Sequence, residues 1–144
     1  MSMTLSSPAF ANGQPIPIQH TGQGDDTSPP LCWTEPPPGT RSFALVCDDP
    51  DAPVGTWVHW VLCGLPATLR ELAGDVPVAE HLSSGGKQGR NDFRRIGYGG
   101  PMPPPGKAHR YFFKLYALDA ALELQPGFRK ADLVKAMEGH VLAE

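Results

Sequence analysis

Ser42-Phe43-Ala44-Leu45-Val46-Cys47, then Asp48-Asp49-Pro50-Asp51-Ala52-Pro53, then Trp57-Val58-His59-Trp60-Val61-Leu62-Cys63: this stretch decides the fold. The first run places Phe43, Leu45 and Cys47 against Ala44 and Val46. Both faces are apolar, which predicts a central strand covered on two sides. Residues 48–55 break that run with two prolines and a glycine. The second run reads as the next strand. Simple alternation puts Trp57, His59, Val61 and Cys63 on one face and Val58, Trp60 and Leu62 on the other.

Working outward, residues 1–30 are polar and turn-rich, with Gly22, Gly24, Asp25, Asp26 and Ser28 favouring loop over element. Residues 64–90 read mostly as loop, with a Gly-rich tip at Ser83-Ser84-Gly85-Gly86. Tyr98 to Gly106 is a second Pro/Gly segment. It leads into a third strand, His109 to Leu118, with His109, Tyr111, Phe113 and Leu115 on one face and Arg110, Phe112, Lys114 and Tyr116 on the other. Lys130 to Glu138 is the one helical pattern, with Leu133, Val134 and Met137 as its apolar stripe and Gly139 as its stop. Arg129 stands where a Ser, Thr or Asp cap belongs, so the helix start is expected to be weak.

The chain has 144 residues, enough for one domain (1–144) with a core that needs neither disulfide nor metal. Seventeen prolines and 16 glycines without a period exclude collagen and fit a loop-rich β protein. A net charge of −3 supplies no global basic field for nucleic acid or anionic lipid. No apolar stretch approaches the ~18–20 residues of a membrane span, and the first ten residues lack the pattern of a signal peptide. Cys32, Cys47 and Cys63 are odd in number and form no C-x-x-C motif. Cys47 and Cys63 read as small buried hydrophobes, and a reducing, cytoplasmic compartment is expected.

The chemistry-bearing residues gather where strands meet loops, as binding groups on a rigid β scaffold do. Asp49 and Asp51 flank a proline, which biases Asp49 away from helical backbone. Asp51 is best explained as turn chemistry. The glycines near Gly100-Pro101 let backbone approach a ligand, and the prolines restrict that loop. Arg110 faces away from His109 and suits an ion pair with an acid such as Asp51. Arg90, Arg94 and Arg95 form a small basic patch whose ordinary account is a solvated loop. No H-x₃-H, H-E-x-x-H or C-x-x-C spacing supports a metal site. No G-x-S-x-G elbow or P-loop is present.

The D-P-D-A-P turn at 49–53, the W-x-H strand start at 57–59, the G-x-P loop at 99–101 and His109-Arg110-Tyr111 resemble the phosphatidylethanolamine-binding protein family. The resemblance is nearest its bacterial YbhB/YbcL, Raf-kinase-inhibitor-like, branch. Ser28-Pro29-Pro30-Leu31-x-Trp33, Gly39-Thr40-x-Ser42-Phe43, Asn91-Asp92-Phe93 and Tyr116-Ala117-Leu118-Asp119 agree, so it runs from about Phe10 to about Val141. It implies an all-β fold: a Greek-key-like sandwich of a large and a small antiparallel sheet with one or two short helices. It implies a non-catalytic pocket for a small anion or phosphate group, lined by Asp49, Trp57, His59, Gly100, Pro101, His109 and Tyr111, with Asp51 and Arg110 in support. No cofactor is implied. A kinase or a protease is the class of protein partner it allows, and bacterial relatives of this type often pair as homodimers. A hydrolase using Asp49 and His59 as acid and base is the rival reading, and an interaction scaffold with a vestigial pocket is a third. Relatives usually continue past the helix with one more strand, so before Glu144 the final strand is expected to be either shortened or missing residues. Asp49 is expected to raise the pKa of a nearby histidine, and anion affinity is expected to fall as pH rises through the histidine range.

Overall fold

The computed structural model describes residues 3–10, 16–21, 26–50, 55–82, 85–100, 111–122, 124–125 and 127–143. Eight strands follow in chain order: β1 (Leu5–Ser6), β2 (Leu31–Trp33), β3 (Ser42–Asp49), β4 (Trp57–Pro66), β5 (Glu71–Leu72), β6 (Lys87–Gln88), β7 (Phe112–Leu118) and β8 (Val141–Ala143). One α-helix, α1 (Lys130–Met137), lies between β7 and β8, and a single 3₁₀ turn spans Ile18–His20. Strands β1, β2 and β5 make a small sheet in the order β1-β2-β5. The large sheet has the order β6-β4-β3-β7-β8, and every pairing is antiparallel.

All eight residues of β3 are buried, as its two apolar faces require of a central strand. One face packs toward the small sheet. There Phe43, Leu45, Trp60, Leu62 and Leu115 share a core with Leu31, Trp33 and Leu72. The other face packs under α1, where Ala44, Val46, Val61, Cys63 and Leu118 meet Phe128, Leu133 and Met137. Cys47 and Cys63 are buried in these two cores, and burial pushes both thiols up, Cys63 to about 11.

The even alternation expected along β4 does not hold. Phe43 pairs with Leu65 but Leu45 with Leu62, and Cys47 pairs with Trp60 but Asp48 with Val58. Each step gives β4 one residue more than β3, the mark of a β-bulge. Gly64 supplies the first, at φ +68, a left-handed backbone that favours glycine. His59 is the extra residue of the second. Val58 therefore joins Val61 and Cys63 under the helix, while Trp60 and Leu62 face the small sheet. Trp57 and His59 are separated from Val61 and Cys63, because a bulge inverts the parity of everything before it.

Strands β5 and β6 fall inside the segment expected to be mostly loop. Two residues each are too short to show a period, and their pairing comes from neighbouring strands. Gln88 fixes β6 from within: its carbonyl accepts the Trp60 indole N–H at 2.8 Å, and its amide donates to Pro77 and Ala79 carbonyls at 2.7 and 2.8 Å. The helix start is stronger than expected from Arg129 alone, because Asp132 accepts the Arg129 backbone N–H at 3.0 Å. That is half a capping box; a guanidinium has no acceptor for the other half. At the other end Gly139 takes φ +79, and the His140 N–H returns to the Met137 carbonyl at 2.9 Å. The chain then adds the short β8, paired with β7 through Ala117↔Ala143 and Leu118↔Val141.

Candidate functional site

Antiparallel pairing brings the end of β3, the start of β4 and the start of β7 together at one end of the large sheet's three inner strands. Asp49 pairs directly with Trp57, so both side chains leave the same face. The preceding Asp48 leaves the opposite face. Under α1 it accepts from Lys130 at 2.9 Å and Lys114 at 3.5 Å. The two neighbouring aspartates thus serve different layers.

His59 is 3% exposed, and the bulge turns it toward Tyr111, with ring centroids 5.5 Å apart at 76°. Its Nδ1 lies 2.7 Å from the Gly99 carbonyl. A carbonyl only accepts, so Nδ1 carries the proton and Nε2 carries the lone pair of the neutral ring. That Nε2 is buried and has no hydrogen-bond partner among the described residues; the Trp57 indole Nε1 is the second such atom. Buried polar atoms are rarely left this way.

Burial is the largest influence on the His59 ring and lowers its pKa from 6.5. The Gly99 hydrogen bond and the Asp49, Asp92 and Asp48 carboxylates push upward and are outweighed. The expected rise from Asp49 is therefore present as a contribution and absent as a result. Desolvation of an imidazolium at this depth exceeds the attraction of the acids.

Phe93 is a member of the cluster that the residue-by-residue reading missed. Its ring lies 5.4 Å from Trp57 and 5.6 Å from His59. Asn91 and Asp92 hold it there. The Asn91 side-chain carbonyl accepts from the Phe93 and Arg95 amides at 2.9 and 3.2 Å, and its amide donates to Gly97 at 2.9 Å. Asp92 accepts the Val58 N–H at 2.7 Å and returns its own N–H to the Val58 carbonyl at 2.9 Å. The signal was an Asn-Asp pair ahead of an aromatic, which is turn chemistry that aims a ring.

Gly99 and Gly100 run alongside. The Gly99 N–H donates to the His59 carbonyl at 2.9 Å, and a Cβ at Gly99 would stand 2.6 Å from Phe93 Cδ2. A Cβ at Gly100 would stand 2.5 Å from Asp26 Oδ1 and 2.7 Å from the His20 carbonyl. The Gly100 N–H donates to Asp26 at 2.6 Å, so Asp26, not a ligand, takes the amide that the Gly-rich loop was expected to offer. Tyr98 ties the same segment down through its hydroxyl, 2.6 Å from the His20 carbonyl, and burial raises its pKa.

Of the expected pocket residues, His59 and Tyr111 are in ring contact and Trp57 joins them through Phe93, with Asp49 paired to Trp57; Gly100 follows the glycine that holds His59 and is itself packed against Asp26 and His20. Pro101 and His109, and the supporting Asp51 and Arg110, lie outside the described residues. Ser83 and Ser84 do also. The arginine patch is exposed, with the Arg95 guanidinium 5.8 Å from the Phe93 ring centre and 3.9 Å from Asp26. A separate open groove of about 650 Å³ lies over α1, lined by Leu124, Gln125, Phe128, Asp132 and Lys135 among others. Its two charges are of opposite sign, and one of them caps the helix, so it has no bias toward an anion. No group of three or more His, Cys, Asp or Glu side chains suited to a metal ion occurs among the described residues.

The family model described as phosphatidylethanolamine-binding protein matches residues 6–144. A UPF0098 protein of Methanothermobacter thermautotrophicus is 49% identical over 142 residues, covering 99% of this chain and 93% of that protein. One from Aquifex aeolicus is also 49% identical, covering 99% and 84%. Among solved structures, Escherichia coli YbcL, described as a member of the mammalian PEBP family, superposes with a TM-score of 0.91 at 33% identity, covering 99% of this chain and 93% of that one. A putative PEBP homologue from Chlamydia trachomatis gives 0.89 at 38%, covering 99% and 92%. The chain belongs to the phosphatidylethanolamine-binding protein family.

Proposed function

We propose that this chain is a non-catalytic binding protein for a small oxyanion of the phosphate class, held where β3 ends and β4 and β7 begin by Trp57, His59 and Tyr111, with Asp49 and Gly100 around them. Pro101 and His109 belong to the same proposal, with Asp51 and Arg110 as supports. The observation that carries it is the pair of buried, unpartnered ring nitrogens, His59 Nε2 and Trp57 Nε1, on one strand two residues apart. Leaving each unsatisfied costs about 1–3 kcal/mol, a cost that a ligand with polar atoms removes. The family name points to a phosphate group as well, which phosphatidylethanolamine carries as a diester and phosphoethanolamine as a monoester.

Binding needs only placed donors and acceptors, whereas hydrolysis needs a nucleophile held against a base. The test is titration calorimetry with phosphoethanolamine on the wild type and His59→Ala, with a parallel turnover assay on phosphoesters, carboxylic esters and peptides. Saturable binding lost in the variant, without turnover, is the expected result. Turnover that vanishes with His59→Ala transfers the site to the hydrolase reading.

A further inference from the structure

We propose that the pocket takes an oxyacid group that still carries one proton, so that it binds phosphate monoesters and discriminates against phosphodiesters and sulfate. This rests on the anion-pocket reading above and goes beyond it by naming the ionisation state and the ester class.

The two orphaned atoms are not equivalent. The Trp57 indole can only donate. His59 Nδ1–H is committed to the Gly99 carbonyl at 2.7 Å, so the neutral ring presents a lone pair at Nε2. A ligand that satisfies both must supply an acceptor to the indole and a donor to the imidazole. A fully ionised sulfate or phosphodiester has acceptors only. It satisfies Trp57 and sets a lone pair against a lone pair at His59, unless the ring first takes up a proton.

The surroundings resist that protonation. Asp49 and Asp48 from β3 and Asp92 from the 91–96 turn favour the imidazolium, as does the Gly99 carbonyl. Tyr111 faces the ring from the start of β7, and Phe93 from the turn, each with its ring near the imidazole. Burial among these outweighs the acids and keeps the ring neutral below the usual histidine range. A phosphate monoester loses its second proton near pH 6. Its monoanion is therefore available close to neutrality, with P–OH for Nε2 and P–O⁻ for the indole. A phosphodiester such as a lipid headgroup has no such proton to give. Proton bookkeeping is the same whether the shared hydrogen rests on oxygen or on Nε2: the complex holds one proton more than the neutral pocket plus the dianion.

The experiment is calorimetry at about pH 7.5 in two buffers of different ionisation enthalpy, where a monoester is mainly the dianion. Phosphoethanolamine represents the free monoester and glycerophosphoethanolamine the lipid-headgroup diester. Expected are uptake of close to one proton per phosphoethanolamine and an affinity that falls about tenfold per pH unit above that point. At about pH 5, where the monoester is mainly the monoanion and pays nothing for its proton, the diester and sulfate are expected to bind about tenfold more weakly or worse, as one unsatisfied buried group requires. In His59→Gln the amide NH₂ supplies a donor, so proton uptake is lost and the preference for the monoester collapses. If that variant does not fold, the wild-type arms decide alone. A diester bound as tightly as the monoester, with no proton uptake, overturns this inference and leaves the anion pocket standing. Absence of binding by all three ligands overturns both.

Discussion

At the residue scale, His59 owes its character to one extra position in a strand. The bulge removes it from the helix-side core and seats it among Phe93, Tyr111 and the Gly99 carbonyl. Its pKa is lowered in the folded chain, so the unfolded chain binds a proton there more readily. Stability from this group is therefore full above the ordinary value of about 6.5 and is lost as pH falls from there toward the lower folded value. Urea midpoints measured between about pH 7.5 and 5 should drop more steeply for the wild type than for His59→Gln. Parallel curves for the two proteins would show that the ring titrates as though exposed. Gly99 is the neighbouring constraint. Its α-carbon has no room for a methyl because Phe93 lies 2.6 Å from the Cβ position. Gly99→Ala should cost about 1–3 kcal/mol by overpacking, lowering Tm by several degrees and loosening the Phe93 and His59 rings. An unchanged Tm would mean that Phe93 moves aside freely.

At the element scale, the two aspartates that end β3 divide their work by parity. Asp49 shares the face of its partner Trp57, and Asp48, 1% exposed, anchors the start of α1 through Lys130 and the middle of β7 through Lys114. Both lysines keep contact with water, so removing the acid leaves no buried cation. Asp48→Ala should then cost about 1.5–3 kcal/mol, the range for hydrogen bonds to a charged group. The loss should appear as faster amide exchange in α1 and a lower denaturant midpoint. Exchange in α1 that stays at the wild-type rate would mean that Leu133 and Met137, buried against the sheet, hold the helix without the ion pairs.

At the scale of the whole molecule, the large sheet ends at β8, a three-residue edge strand that exposes Val141 and Leu142. An exposed apolar edge strand is a template for pairing unless something covers it. The homodimer expected for relatives of this type is proposed to use this edge. Sedimentation should show a species of twice 15.5 kDa at micromolar concentration, and Leu142→Lys should shift it to the monomer. A single 15.5 kDa species in the wild type at high concentration would remove the dimer from the proposal. No helix of the described residues is long and apolar enough to cross a membrane.

The sequence by itself determined the long strands, because β3, the second half of β4 and β7 each carry enough consecutive apolar residues to show which surfaces are covered. It determined α1, whose stripe and glycine stop are local signals, and the family, whose motifs lie at turns with their own residue chemistry. It also marked Asp49, Trp57 and His59 as residues of one strand–turn–strand unit. Only the tertiary structure decided what those residues face. A one-residue bulge at His59 cannot be read from alternation, since nothing in Trp57-Val58-His59-Trp60 marks the place where parity inverts. The partners of His59 come from residues 34 to 52 positions away, at Phe93, Gly99 and Tyr111. Its charge state depends on a contest between burial and three carboxylates that only packing can settle. The two-residue strands β1, β5 and β6 were equally illegible, because their conformation is imposed by the neighbours they pair with and not by any preference of their own.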